Sequence, residues 1–184
     1  MEVYNEATAF VRKALSAAPR SQPGKKENDS SDFTGARREH TIELLGEEYG
    51  TRLLREASET KTSDAPAKLA LLHHLHGNVD DVRFWAAVAA VANREYTPPA
   101  SIQESLEEAR RYALGYQRAR DFAAARVYLS LAADKEDALS AFQLGIMAES
   151  EADVTEAIAW YKKAATFGHP DGDERAYRLW RTLH

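Results

Sequence analysis

Residues 125–138 read ARVYLSLAADKEDA, and residues 157–171 read AIAWYKKAATFGHPD. Setting Leu129 against Tyr161 places Tyr128 on Trp160 and Ala132-Ala133 on Ala164-Ala165, an offset of 32 positions. A third stretch, DVRFWAAVAAV from Asp81, places Phe84, Trp85, Val88 and Ala89 on Trp160, Tyr161, Ala164 and Ala165 at an offset of 76. Between these segments, YALG at 112–115 and FQLG at 142–145 lie 30 apart, which sets Leu114-Gly115 on Leu144-Gly145. Self-similarity at a period of this size marks a repeat architecture built from one supersecondary unit. Bulky residues fill the interior, paired alanines let a neighbouring helix approach, and glycine removes a side chain where two backbones meet. A helical hairpin cannot cover its own apolar face, so successive hairpins stack.

Working outward, helical spacing predicts elements at about 102–119, 121–133, 136–149, 152–167 and 173–183. Ser101 with Glu104 has capping-box spacing. Upstream, a helix over 36–59 carries Ile42, Leu45, Tyr49, Leu53 and Leu54 on one stripe, weakened at Gly46 and Gly50. Asp64 stands where it can cap a helix over 65–76, which Gly77-Asn78 should stop. Asp80 opens the next helix, to about residue 95. The short linkers force neighbouring helices antiparallel, and no segment alternates with the two-residue period of a strand. Residues 2–18 form an amphipathic pattern through Val3, Ala7, Phe10, Val11, Ala14 and Leu15. Residues 19–35, PRSQPGKKENDSSDFTG, are too polar to bury a core and read as a disordered linker. The expected layout is an N-terminal helix at 1–18, a linker at 19–35 and a helical domain at 36–184.

Composition supports helix: Gly is 9 and Pro 6 of 184 residues, and alanine is abundant. A net charge of -5 argues against non-specific phosphate binding, so nucleic acid is not the expected partner. With no cysteine, disulfides, thiolate nucleophiles and Cys-based zinc sites are excluded. No apolar run reaches the roughly 20 residues of a membrane span, and the N-terminus has no secretory pattern. The expectation is a cytoplasmic protein with no membrane partner and no cofactor.

The stretch AFQLGIMAESEADVTEAIAWYKKAATFGHPD, residues 141–171, resembles a Sel1-like repeat, a relative of the tetratricopeptide repeat. Ala138, Phe142, Leu144, Gly145, Ala157, Trp160, Tyr161, Ala164, Ala165, Gly168 and His169 match the family pattern. Ser140 replaces its second alanine, the turn ESEAD lacks the usual glycine, and Trp180 stands where glycine would sit in the last helix. The likeness covers about 102–184, is weak over 65–95 and does not reach 1–60. It implies an all-α fold of antiparallel hairpins stacked as a short right-handed α-solenoid, with a tethered N-terminal helix. Family members mostly bind proteins, usually on the face lined by the first helix of each pair.

Candidate chemistry is sparse. His73 and His76 share a helix face, but a metal needs further ligands, and histidines at a helix C-terminus are explained by its dipole. Glu47-Glu48 and Asp80-Asp81 lack a partner base or nucleophile; helix N-terminal charge accounts for the aspartates. No phosphate-cradling glycine pattern or nucleophile elbow occurs. The densest basic stretch is Arg110, Arg111, Arg118 and Arg120 with Tyr112 and Tyr116, balanced by Glu104, Glu107 and Glu108, with Glu107 one turn before Arg111. Arginine and tyrosine anchor interfaces. The expected function is therefore a non-enzymatic scaffold or regulatory adaptor, binding a protein or peptide through Arg111, Tyr112, Arg118 and Gln143, with self-association possible. The alternative is a transcriptional regulator whose DNA-binding helices lie in the N-terminal half; there APAKLALLHHLH is the would-be recognition helix, though its apolar body looks like core.

Overall fold

The computed structural model describes residues 30–59, 63–93 and 96–183. The expected helix over 2–18, and the linker as far as residue 29, lie outside the described residues. Among the described residues every regular element is a helix and there is no strand. No helix there is long and apolar enough to cross a membrane. The chain divides into two compact units, one ending at Ala100 and the other running Ser101–His184. The expected helical-repeat domain, 36–184, spans both units, and the division falls where the clearest repeats begin.

The first unit holds α1 (Ser30–Leu45), α2 (Glu47–Glu59), α3 (Ala65–His76) and α4 (Val79–Ala92). Helix α1 begins inside the expected linker, so residues 30–35 are helical. A lone glycine such as Gly35 costs a helix only about 1 kcal/mol, which packing overrides. The helix expected over 36–59 is two helices. Gly46 takes φ 81° between them, a left-handed conformation that glycine enters without a Cβ clash. Gly50 then lets α2 fold back tightly, since a Cβ there would lie 3.2 Å from Ile42 Cα and from the Thr41 carbonyl oxygen. Helix α3 matches its expected span, but Asp64 does not cap it. Asp64 instead pairs with Lys68 at 2.8 Å, and Ser63 Oγ accepts from the Ala65 amide at 3.0 Å. Gly77 stops α3, and Asn78 rather than Asp80 caps α4. The core of this unit is Leu45, Tyr49, Leu53, most of α3, Phe84, Trp85, Val88 and Ala89.

The second unit holds α5 (Ile102–Arg118), α6 (Phe122–Ala133), α7 (Ala138–Ser150), α8 (Val154–Thr166) and α9 (Gly172–Leu183), each packed on the next in chain order. Its turns repeat. Arg120, Glu136, Ala152 and Gly168, sixteen positions apart, all have positive φ. After each, the next amide bonds back five residues: Asp121 to Tyr116, Asp137 to Ala132, Asp153 to Ala148 and His169 to Ala164. This is the Schellman stop. In the first three turns the same aspartate caps the following helix, accepting from the amides of Ala124, Ser140 and Glu156. One residue thus closes one helix and opens another.

Two helix-turn modules span 32 positions, the offset between Tyr128-Leu129 and Trp160-Tyr161. The 30-residue alignment of YALG with FQLG is corrected by the same geometry. Leu114 is 43% exposed while Leu144 is fully buried. At an offset of 32, Tyr112 takes the place of Leu144 and Ala113 that of Gly145, and both Ala113 and Gly145 are buried. A two-residue slip turns a helix by about 200°, enough to send Leu114-Gly115 to the solvent side. Nor does Gly145 mark a meeting of backbones: a Cβ there would meet the Tyr161 ring. Backbones meet at Gly172, where a Cβ would lie 2.6 Å from the Ala165 nitrogen.

Candidate functional site

The three-residue turn before α6 and the Ser101 cap before α5 fix which face of α5 is wet. Arg111, Leu114 and Arg118 are exposed and spaced at three and four residues, so they share one stripe. On α7 the matching stripe is Leu139, Gln143 and Ile146, with Leu139 51% and Ile146 46% exposed. Gln143 is half-buried. Leu114 and Ile146 are 32 positions apart and occupy the same place in successive hairpins.

Tyr112, expected beside Arg111 in this contact set, is turned inward. Its ring packs on Tyr128 with centroids 5.5 Å apart, and Tyr116 stacks on the same ring at 5.7 Å. Arg111 pairs with Glu108 at 2.8 Å, not with Glu107. Arg110 leaves the stripe to bond Asp137, the cap of α7, and Arg120 sits in the left-handed turn. Of the basic stretch, only Arg111 and Arg118 lie beside Leu114.

Ala132, Ala133, Leu144, Tyr161 and Ala164 are fully buried; Trp160 and Ala165 are half-buried. The Trp160 indole donates to Glu156 at 3.0 Å. Gly115 is exposed with nothing near it. The Tyr161 hydroxyl donates to Glu149 at 2.7 Å, and Arg175 bonds both oxygens of that carboxylate. Burial, then the bond to Glu149, pushes the phenol up to about 12. This group ties α7, α8 and α9 together.

In the first unit Trp85 is buried edge-on against Phe84, with ring centroids 5.0 Å apart. Around α4 lies a polar cluster that the sequence reading missed. Asp81 was assigned to helix-end charge, but only Asp80 is exposed; Asp81 is 2% exposed. Its carboxylate pairs with Arg37 from α1 and accepts from Asn78 Nδ2 at 2.6 Å. His40 Nδ1 approaches it at 3.4 Å. The Thr41 hydroxyl donates to the Arg37 carbonyl at 2.9 Å, so His73 Nε2, 3.1 Å from that oxygen, is the donor to it. That leaves the His73 Nδ1 lone pair facing Asp81 at 3.7 Å. Burial pushes the imidazole down to about 4, against the pull of Asp81. The spacing Asn78-x-x-Asp81 could have signalled a side chain folded back on its cap, but nothing in sequence links Asp81 to Arg37.

His76 is exposed while His73 is buried, and Glu47 and Glu48 are exposed on the first turn of α2. Among the described residues no group of three His, Asp or Glu is placed to hold a metal ion. Eight residues of α3, the would-be recognition helix, are buried, while Ala67, Lys68 and His74 are half-buried and His76 is exposed. Comparison of the chain with protein-family models, curated proteins and solved structures gives no match.

Proposed function

We propose that this protein is an interaction module of Sel1-like hairpins, a scaffold or regulatory adaptor that binds a protein or peptide partner. In this reading Ser101–His184 forms a short right-handed solenoid whose first helices, α5 and α7, carry the binding face. The observation behind it is the recurrence of Leu114 and Ile146, both near half exposed, at one position of successive hairpins. A single surface leucine needs no explanation; the same apolar exposure at equivalent places, flanked by Arg111, Arg118 and Gln143, describes an apolar centre with polar donors around it.

A pull-down from native lysate tests this, comparing the wild type with L114E/I146E. Both residues are solvent-facing, so the variant should keep its circular dichroism and melting temperature while losing a specific partner. The reading fails if no specific partner is recovered, or if the variant retains it.

A further inference from the structure

The first unit contains a pocket of about 330 Å³ between α1, α2 and α4, a size at the lower end of ligand sites. Its wall is apolar: Leu54 from α2, and Phe84 and Trp85 from α4. Among the described residues its charges are all of one sign: Arg37, Arg38 and Arg55 line it, and no aspartate or glutamate does.

The three arginines are not equivalent. Arg37 is buried, bonded to Asp81, and lies over the Phe84 ring at 4.5 Å. Its charge is neutralised inside the fold. Arg38 on α1 and Arg55 on α2 are exposed, and among the described residues their guanidinium groups make no ion pair or hydrogen bond. The free positive charge therefore sits on the rim, on two different helices, while the interior offers apolar surface and a cation already committed.

We propose that this pocket is a second docking site, separate from the α5–α7 face, for an acidic peptide segment of a protein partner with one bulky apolar anchor. The anchor enters against Leu54, Phe84 and Trp85, and acidic residues flanking it in the chain meet Arg38 and Arg55. Charge complementarity selects this occupant. A small amphiphilic acid carries a single carboxylate for two cations on different helices, whereas a peptide that is acidic on both sides of its anchor offers one for each. Guanidinium groups suit carboxylates because their planar fork can bond both oxygens.

The test is a fluorescence-anisotropy titration of the full chain with a labelled peptide, Glu-Glu-Phe-Glu-Glu. Controls are Gln-Gln-Phe-Gln-Gln and Glu-Glu-Ala-Glu-Glu, with octanoate as a small acid competitor. The acidic, phenylalanine-bearing peptide should bind best and lose affinity with salt. R38Q/R55Q, both on the surface, should weaken it about fivefold to tenfold, as expected for two rim ion pairs. L54Q should weaken it independently, and R181Q in the second unit should not change it. The proposal is overturned if no peptide saturates below about 1 mM, if either control peptide binds equally well, if R38Q/R55Q binds as the wild type does, or if octanoate binds and the peptide does not. The α5–α7 face is read by a different variant and assay, so either site can fail alone.

Discussion

The ring of Tyr161 occupies the space that a side chain on Gly145 would need: an added Cβ would lie 2.6 Å from Tyr161 Cε1. Tyr161 is fully buried and its hydroxyl is held by Glu149, so the ring cannot swing away without breaking a bond. Gly145→Ala should therefore destabilise the protein by about 1–3 kcal/mol through overpacking. Gly115→Ala, in open space on α5, should stabilise by about 0.5–1 kcal/mol through helix propensity. Urea denaturation of both variants checks this; equal effects would contradict the rotational register of α5 and α7.

The repeated turns make a paired prediction. Ala152 and Gly168 hold the same left-handed position in successive turns, with φ 62° and 95°. Ala152→Gly should gain up to about 1 kcal/mol by removing the Cβ strain, and Gly168→Ala should lose about 1–2 kcal/mol. Thermal melts of the two variants should shift in opposite directions.

His73 predicts a loss of stability in acid. Its folded value of about 4 lies below the ordinary 6.5, so between these values the unfolded chain binds a proton that the native state does not. Stability then falls as the pH drops through this window, by about 2 kcal/mol between pH 7 and pH 5 from this group alone. His73→Gln keeps a donor for Thr41 and cannot titrate. Its denaturation midpoint should be lower at pH 7 and should depend less on pH from 7 to 5 than that of the wild type. An unchanged pH slope would assign the acid sensitivity elsewhere.

Arg37 and Asp81 are a buried ion pair with side chains 9% and 3% exposed. Removing one partner leaves the other charge buried without its counter-charge, at a cost of about 3–5 kcal/mol. Arg37→Met and Asp81→Leu should each cost in this range, and the double variant clearly less than their sum. A double-mutant cycle by chemical denaturation measures the coupling, and simple additivity would contradict the pairing.

Much of the second unit is written locally. Ser101 is a recognisable cap, and the alanine pairs with their bulky neighbours recur at 32 positions. The helices of 102–184 consequently fall within a residue or two of their expected spans. Helix phase was harder to read. Leu-Gly at 114–115 and at 144–145 is the same dipeptide facing solvent in one helix and core in the other, because the turns set the register and the dipeptide does not.

What the sequence determined by itself is helix content, spacing and most helix ends, since these depend on propensity, periodicity and caps acting within a few residues. The tertiary structure alone decided the break at Gly46, the division at Ala100, the inward turn of Tyr112, and the meeting of Arg37, His73 and Asp81 from three helices. Those outcomes depend on contacts between residues as many as 44 positions apart, and a linear pattern carries no record of which distant side chain will neutralise a buried charge.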